Sequence, residues 1–395
     1  MVEKNISRPK KIIHREEKKE RVVENKKHNP SLLFISFCWD NENLKYNHSD
    51  YVLALGWLKK GWDVYYYDYR FNAELHNNNK LMNKKILDLI SKYNTDIVFF
   101  GKPNGTSKIK SRRGFSAAID PSIIPQAKAK GYKGLFLSWY MDQRKNPYEP
   151  VVKLAKACDW FFLCCGGDTL KDYSNVIKRP SSFVIAPNAP DVYRPKPYNK
   201  RTTNILWMGG IHKPDKSGFE SFRYEILSNL HRNNHLSQYF GCFGKPRILY
   251  PKYHDNLGNA KMNLSLSAFD REMYFSNRMS HTIGSNTASL SYRFKGCYKI
   301  FSDDSCVFFD NVNELLEKSR YYLNHLNELS DIADNGNKIS KEYFTSEKVV
   351  EDIMYTLKNG SSNLPFGETI NKDNVKFDLP ENPNRIGELV QLKIR

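Results

Sequence analysis

Along most of the chain, short continuous apolar runs alternate with stretches whose apolar residues recur every three or four positions. The runs have strand length and the recurring positions have the spacing of one helix face. From Ser31 the order reads strand, helix, strand. Leu32–Phe37 is the first run, and the next helix starts with Ser49 or Asp50 as its N-cap. That helix carries Tyr51, Leu55 and Leu58 on one face and stops near Gly61. Val64–Tyr69, Asp96–Gly101, Gly134–Tyr140 and Trp160–Cys164 read as further strands, and Ile86, Leu87 and Ile90 as the face of an intervening helix. Strands alternating with helices predict a parallel sheet covered on both faces.

Pro187–Pro197, with four prolines, marks a boundary, after which the alternation restarts. Asn204–Met208 is a strand, and Phe222, Ile226, Leu227 and Leu230 share a helix face. Gln238–Phe243, Met262–Leu266 and Ala288–Leu290 read as strands, followed by helices over Val312–Leu323, Leu329–Lys338 and Ser346–Leu357. The expected architecture is α/β, with two Rossmann-like domains at 31–195 and 196–358 facing each other across a cleft. Ligands then belong at the carboxyl ends of the strands. Residues 359–395, rich in Asn, Pro and Gly, predict an irregular tail over the surface. Residues 1–30 hold ten Lys/Arg and five Glu with almost no apolar pattern, which predicts a disordered or loosely helical basic arm.

Charge changes the picture more than size does. The 395 residues carry 61 Lys+Arg against 43 Asp+Glu, a net +18 that favours a polyanionic partner without choosing among nucleic acid, anionic lipid and anionic glycan. An apolar share of 40% excludes wholesale disorder. No apolar run is long enough to span a membrane, and the charged start of the chain does not read as a secretory leader. Seven cysteines with no CxxC pair predict reduced thiols in a cytoplasmic setting and argue against a zinc site.

Candidate chemistry gathers at strand ends. Gly209-Gly210 closes a predicted strand and is followed by Lys213 and Arg223. Glycines there let backbone N–H groups approach an anion while the cations supply charge, although a turn without a ligand has the same glycines. The spacing is not GxGxxG, so a dinucleotide fingerprint is absent. If 277–283 is helical, Arg278 and His281 lie one turn apart on one side, with Gly284 and Ser285 just beyond. An arginine at a helix start facing the cleft suits a diphosphate; an interdomain ion pair is the alternative. Trp139 and Asp142 close the fourth strand of the first half, where Trp139 is a candidate for acceptor binding and a carboxylate is placed as a general base or as a helix cap. His48 and Asp50, in the first strand-to-helix connection, are candidates for acceptor binding, with an N-cap as the alternative for Asp50. Lys102, Lys108, Lys110, Arg112 and Arg113 form an acid-free run after the third strand, suited to a phosphate backbone or to a solvated loop. His212 and His254 lack ligand spacing and are assigned no metal.

Taken in order, YFSNRMSHTIGSNTASLSYRFKG, VFFDNVNELLEKSRYYL and the Leu329–Ile339 helix resemble the C-terminal half of the CgeB-type GT-B glycosyltransferases. FLSWYMDQ resembles the strand and W-x-x-D motif of their first domain, and VIAPNAPDVYRP their interdomain segment. VFFGKPNG and YKGLFLSWYMD are similar, more weakly, to the DNA β-glucosyltransferases of T-even phages. The resemblance implies a UDP-sugar co-substrate, no tightly bound cofactor and no required metal. It implies Asp142 as the base of an inverting transfer, and Arg223 and Arg278 on the donor diphosphate. Many such enzymes follow the second arginine with a Glu on the nucleotide ribose, a position nearest to His281 here. The acceptor implied is a hydroxymethylated pyrimidine in duplex DNA. The alternatives are a surface glycan, glycolipid or protein reached by peripheral membrane contact, and a non-catalytic nucleic-acid-binding protein of the same fold.

Overall fold

The computed structural model describes residues 29–36, 49–76, 78–101, 117–141, 146–211, 221–248 and 250–392. The basic arm expected over 1–30 lies almost entirely outside them.

The apolar runs form two parallel sheets. The first contains β1 (Ser31–Ser36), β2 (Asp63–Asp68), β3 (Ile97–Gly101), β4 (Leu135–Tyr140), β5 (Trp160–Leu163) and β6 (Ser181–Phe183). Its helices are α1 (Ser49–Lys59), α2 (Tyr69–His76), α3 (Asn79–Tyr93), α4 (Ile123–Ala129), α5 (Glu149–Ala157) and α6 (Gly167–Ile177). The second contains β7 (Thr203–Met208), β8 (Gln238–Phe240), β9 (Ala260–Leu264), β10 (Ala288–Tyr292) and β11 (Val307–Phe309). It is served by α7 (Ser221–Arg232), α8 (Lys252–Gly258), α9 (Asn277–Gly284), α10 (Val312–Asn324), α11 (Leu326–Ile339) and α12 (Ser346–Asn359). Along β1, Leu32 and Phe34 enter one core while Leu33 and Ile35 enter another, so both faces of the first sheet are buried. That two-sided burial is why these strands read as unbroken apolar runs.

The tail carries two strands that its composition hid. β12 (Thr369–Ile370) pairs antiparallel with β6, and β13 (Leu389–Leu392) pairs parallel with β2. The first sheet therefore runs β12-β6-β5-β4-β3-β1-β2-β13, with the end of the chain covering both edges that would otherwise offer unpaired N–H and C=O groups. Both strands are short and half-buried, with Pro and Asn on their flanks, so neither shows an apolar run.

Helix α1 also departs from the expected stripe. Val52, Leu53 and Trp57 are fully buried, whereas Leu55 and Leu58 are only half-buried. The cause is α12, which crosses from the second half and packs on α1, so this helix is covered from two sides. Gly56 permits that approach: a Cβ built there would lie 2.3 Å from the Ser346 carbonyl oxygen, a backbone atom that cannot swing away. Gly56→Ala should destabilise the protein by about 1–3 kcal/mol, the usual cost of overpacking, read as a lower urea midpoint. An unchanged midpoint would show that the two helices are not locked by this contact.

Candidate functional site

The second sheet runs β11-β10-β9-β7-β8, so chain order reverses between β7 and β9. The connections after these two parallel strands leave in opposite directions and open a crevice at the carboxyl ends, which is where ligands of such sheets bind. The Arg278 guanidinium occupies it. Its Nε donates to the Met208 carbonyl at 2.8 Å, at the end of β7, and its Nη1 donates to the Leu266 carbonyl at 2.8 Å, just past β9. Nη1 also reaches Ser276 Oγ at 3.1 Å, ahead of the first turn of α9.

The glycine turn after β7 is shaped around this side chain. A Cβ on Gly209 would come within 2.4 Å of Arg278 Nη2, so any larger residue evicts the guanidinium. Arg223, from the first turns of α7, donates through Nη2 to the Gly210 carbonyl. Both guanidiniums lie over the indole of Trp207, Arg278 at 4.2 Å and Arg223 at 4.9 Å from the ring, and Trp207 Nε1 donates to the Gly209 carbonyl at 3.0 Å. Cation–π contact and main-chain carbonyls are thus the partners of these cations, and no carboxylate among the described residues pairs with either. The expected alternative of an interdomain ion pair for Arg278 does not hold among those residues. Burial first and the neighbouring Arg278 second pull Arg223 down to about 9, and burial lowers Arg278 as well. Arg223 Nε has no hydrogen-bond partner among the described residues. Two close cations, an unbonded N–H and, among the described residues, no acid make this crevice attractive to an anion.

Sequence reasoning passed over Arg247. It follows β8 in the loop Gly244-Lys245-Pro246-Arg247, is exposed, and rests its stem on Gly241, whose added Cβ would lie 3.1 Å from Arg247 Cγ. Its charge also depresses Arg223. A Lys and an Arg in the loop after a strand of the second half was the available signal.

His281 does share α9 with Arg278, but it turns into a closed aromatic cluster and is 1% exposed. Its Nδ1 shares a hydrogen bond of 2.7 Å with the Tyr193 hydroxyl, and its ring stands edge-on to Tyr253 and His254. Gly284 and Ser285 fall at the far end of α9, away from Arg278. A Cβ on Gly284 would meet Tyr193 at 2.8 Å and Asn188 at 2.9 Å, and Ser285 Oγ donates to the Thr282 carbonyl at 2.8 Å. Both serve packing of the helix end.

In the first half, Trp139 is corrected from an acceptor contact to a core residue. Strand alternation turns it, like Leu137, into the interior, where it is 1% exposed and its Nε1 donates to Cys164 Sγ at 2.9 Å. Asp50 lies inside the first turn of α1, buried, with Oδ2 accepting from Ser36 Oγ at 2.5 Å at the carboxyl end of β1. Its neighbour Ser49 accepts from Asn277 Nδ2 of α9 at 3.1 Å, so this end of the first sheet faces the arginine crevice. His48, Lys102, Lys108, Lys110, Arg112, Arg113, Asp142, His212 and Lys213 lie outside the described residues.

Residues 222–355, about a third of the chain, match the glycosyl transferase-like family. The sequence matches no curated protein. Among solved structures, the chain is similar to a sucrose-phosphate synthase from Thermosynechococcus elongatus (10% identity, 82% of this chain and 97% of that one, TM-score 0.54). It is similar to HepE of Anabaena in complex with UDP-glucose (10%, 84% and 99%, TM-score 0.54). It is also similar to an alpha-glucosyltransferase in complex with UDP-glucose and DNA containing an abasic site (9%, 82% and 98%, TM-score 0.53). The fold is GT-B. Its two Rossmann-like sheets turn their carboxyl ends toward each other, and the arginine crevice belongs to the second.

The histidine cluster has a thermodynamic consequence. Burial lowers His254 from 6.5 to about 4, and burial together with His254 and Arg278 lowers His281 to about 3. Below pH 6.5 the unfolded chain therefore binds protons that the folded chain refuses. Stability is complete above that pH and is lost as pH falls from 6.5 toward 4. The urea midpoint should drop across this window, and His254→Phe should flatten the drop. A midpoint independent of pH from 7 to 4 would mean that these histidines are not held neutral.

Proposed function

We propose that the protein is a nucleotide-sugar-dependent glycosyltransferase that uses a UDP-sugar. The observation that carries this reading is the pair Arg223 and Arg278, set at the switch point of the second sheet with carbonyls and an indole but, among the described residues, no carboxylate as partners. A diphosphate supplies the missing negative charge. As the sugar's anomeric bond breaks, charge builds on that diphosphate, and fixed cations in a water-poor crevice stabilise the leaving group. The match of residues 222–355 to the glycosyl transferase-like family and the likeness to proteins solved with UDP-glucose support the same donor.

Asp142 follows β4 by two residues in sequence and takes the role of general base. It removes the proton from an acceptor hydroxyl as the oxygen attacks the anomeric carbon from the face opposite the departing UDP, so configuration inverts. The acceptor that fits best is a hydroxymethylated pyrimidine in duplex DNA. A net charge of +18, five cations between Lys102 and Arg113 directly after β3, and the fold shared with a glucosyltransferase solved on DNA support it. Reaching such a hydroxyl calls for extrusion of the base, at a cost of a few kcal/mol.

The test is UDP release from a panel of UDP-sugars, with hydroxymethylated and unmodified duplex DNA side by side. Release only with hydroxymethylated DNA is expected, and Asp142→Asn should slow it roughly 10²–10⁴-fold. Release that ignores DNA moves the acceptor to a glycan or protein. A product with retained anomeric configuration removes Asp142 from the role of base. Arg278→Lys, which keeps the charge but loses the planar fork, should raise the donor KM more than about tenfold.

A further inference from the structure

The side chains around α9 connect the donor anchor to the joint between the two domains. We infer that His281 is a positioning residue: bonded to Tyr193, it seats α9, and with it Arg278, against the segment that links the two sheets. The inference rests on the donor reading above.

Three observations converge on it. First, α9 is short, Asn277–Gly284, so Arg278 and His281 lie on adjacent turns of one rigid piece. A shift of the helix moves both. Second, the linking segment grips α9 directly. Tyr193 bonds His281 Nδ1 at 2.7 Å, while Asn188 Nδ2 donates to the Ser280 carbonyl at 3.0 Å and to Ser340 Oγ at 2.7 Å. Gly284 leaves room for both linker side chains, which occupy the place of its missing Cβ. Third, the other end of α9 touches the first domain, through Asn277 to Ser49 at 3.1 Å. The helix that carries the diphosphate ligand is therefore held by both domains and by their joint.

His281 does not contact a nucleotide in this arrangement. At 1% exposure, with Tyr193, Tyr253 and His254 around its ring, it offers no face to a ligand, unlike the ribose-binding acid that the family resemblance places nearest to it. Its effect on the donor passes through the position of Arg278.

The linkage runs through one particular nitrogen, which makes it testable. The amide of Asn reaches the place of Nδ1, whereas that of Gln reaches the place of Nε2. The variants are His281→Asn, His281→Gln and Tyr193→Phe in the full-length protein, with UDP as the probe. Binding is read by calorimetry, and stability by thermal unfolding. The expected pattern is affinity near wild type for His281→Asn and a three- to tenfold loss, roughly the worth of one hydrogen bond, for both His281→Gln and Tyr193→Phe. Equal losses in the Asn and Gln variants overturn the inference, as does a lowered unfolding temperature with UDP affinity unchanged in all three. If wild-type protein binds UDP and Arg278→Ala does not, the donor reading stands whatever the His281 variants do. If wild type binds neither UDP nor pyrophosphate, the donor reading falls and this inference falls with it.

Discussion

The Arg278 guanidinium donates to the carbonyls of Met208 and Leu266, and those two carbonyls belong to chain segments that part company at the switch point. A charge taken from water needs partners, and a carboxylate would be the strongest. Carbonyl oxygens, Ser276 Oγ and the face of Trp207 instead give Arg278 enough polar contact to be buried, with no carboxylate among the described residues to cancel its charge. The rest of the second domain conforms to that choice. Position 209 is glycine because Nη2 fills its side-chain space, and Trp207 is oriented by the Gly209 carbonyl. Arg223 is drawn to the next carbonyl, Gly210, close enough to Arg278 for the two to repel. Mutual repulsion between two fixed cations is a cost that the folded protein bears alone and an anion relieves. On the proposed reading the crevice is thus preorganised for its ligand at the expense of stability.

Several contacts join the two halves of the molecule. Helix α12 leaves the second half and packs on α1 of the first, where Lys59 pairs with both Asp191 of the linker and Glu347 of α12. The chain end then returns to close both edges of the first sheet. Side chains from 269–275 enter the same core as β4 and β5, so the interface continues the interior rather than forming a polar seam. Contact of that kind leaves few soft points, and the neutral His254–His281 pair beside Tyr193 is one whose balance depends on protonation.

The strands and most helices were legible because both sheets are buried on two faces, which leaves a continuous apolar signature. Arg278 was legible too, since its spacing from His281 needs only one helical turn. What could not be read was direction across that turn: residues three apart share a face only approximately, and tertiary packing sent one side chain to the crevice and the other into an aromatic cluster. Trp139 failed for the complementary reason. A residue near the end of a strand can face the ligand or the core, and a buried thiol partner, Cys164, is invisible in local sequence. Arg247 and β13 depend on contacts with residues distant in the chain, Arg223 and β2 respectively, and no periodicity announces those.

The two halves distribute their chemistry differently, and the difference follows from what each has to hold. In the second domain Arg223 and Arg278 sit on helices α7 and α9, and hydrogen bonds to main-chain carbonyls fix their guanidiniums. A diphosphate has one charge pattern and rewards that rigidity. In the first domain the corresponding residues, Lys102 to Arg113 and Asp142, fall in the segments that follow β3 and β4. The buried Asp50–Ser36 contact anchors the carboxyl end of β1. Segments after strands can change sequence without disturbing the sheet beneath, so one scaffold can meet many acceptors while keeping a single donor grip. On the proposed reading, acceptor identity resides in the five cations and the carboxylate that follow β3 and β4 in sequence, whereas the arginine crevice speaks only for the donor.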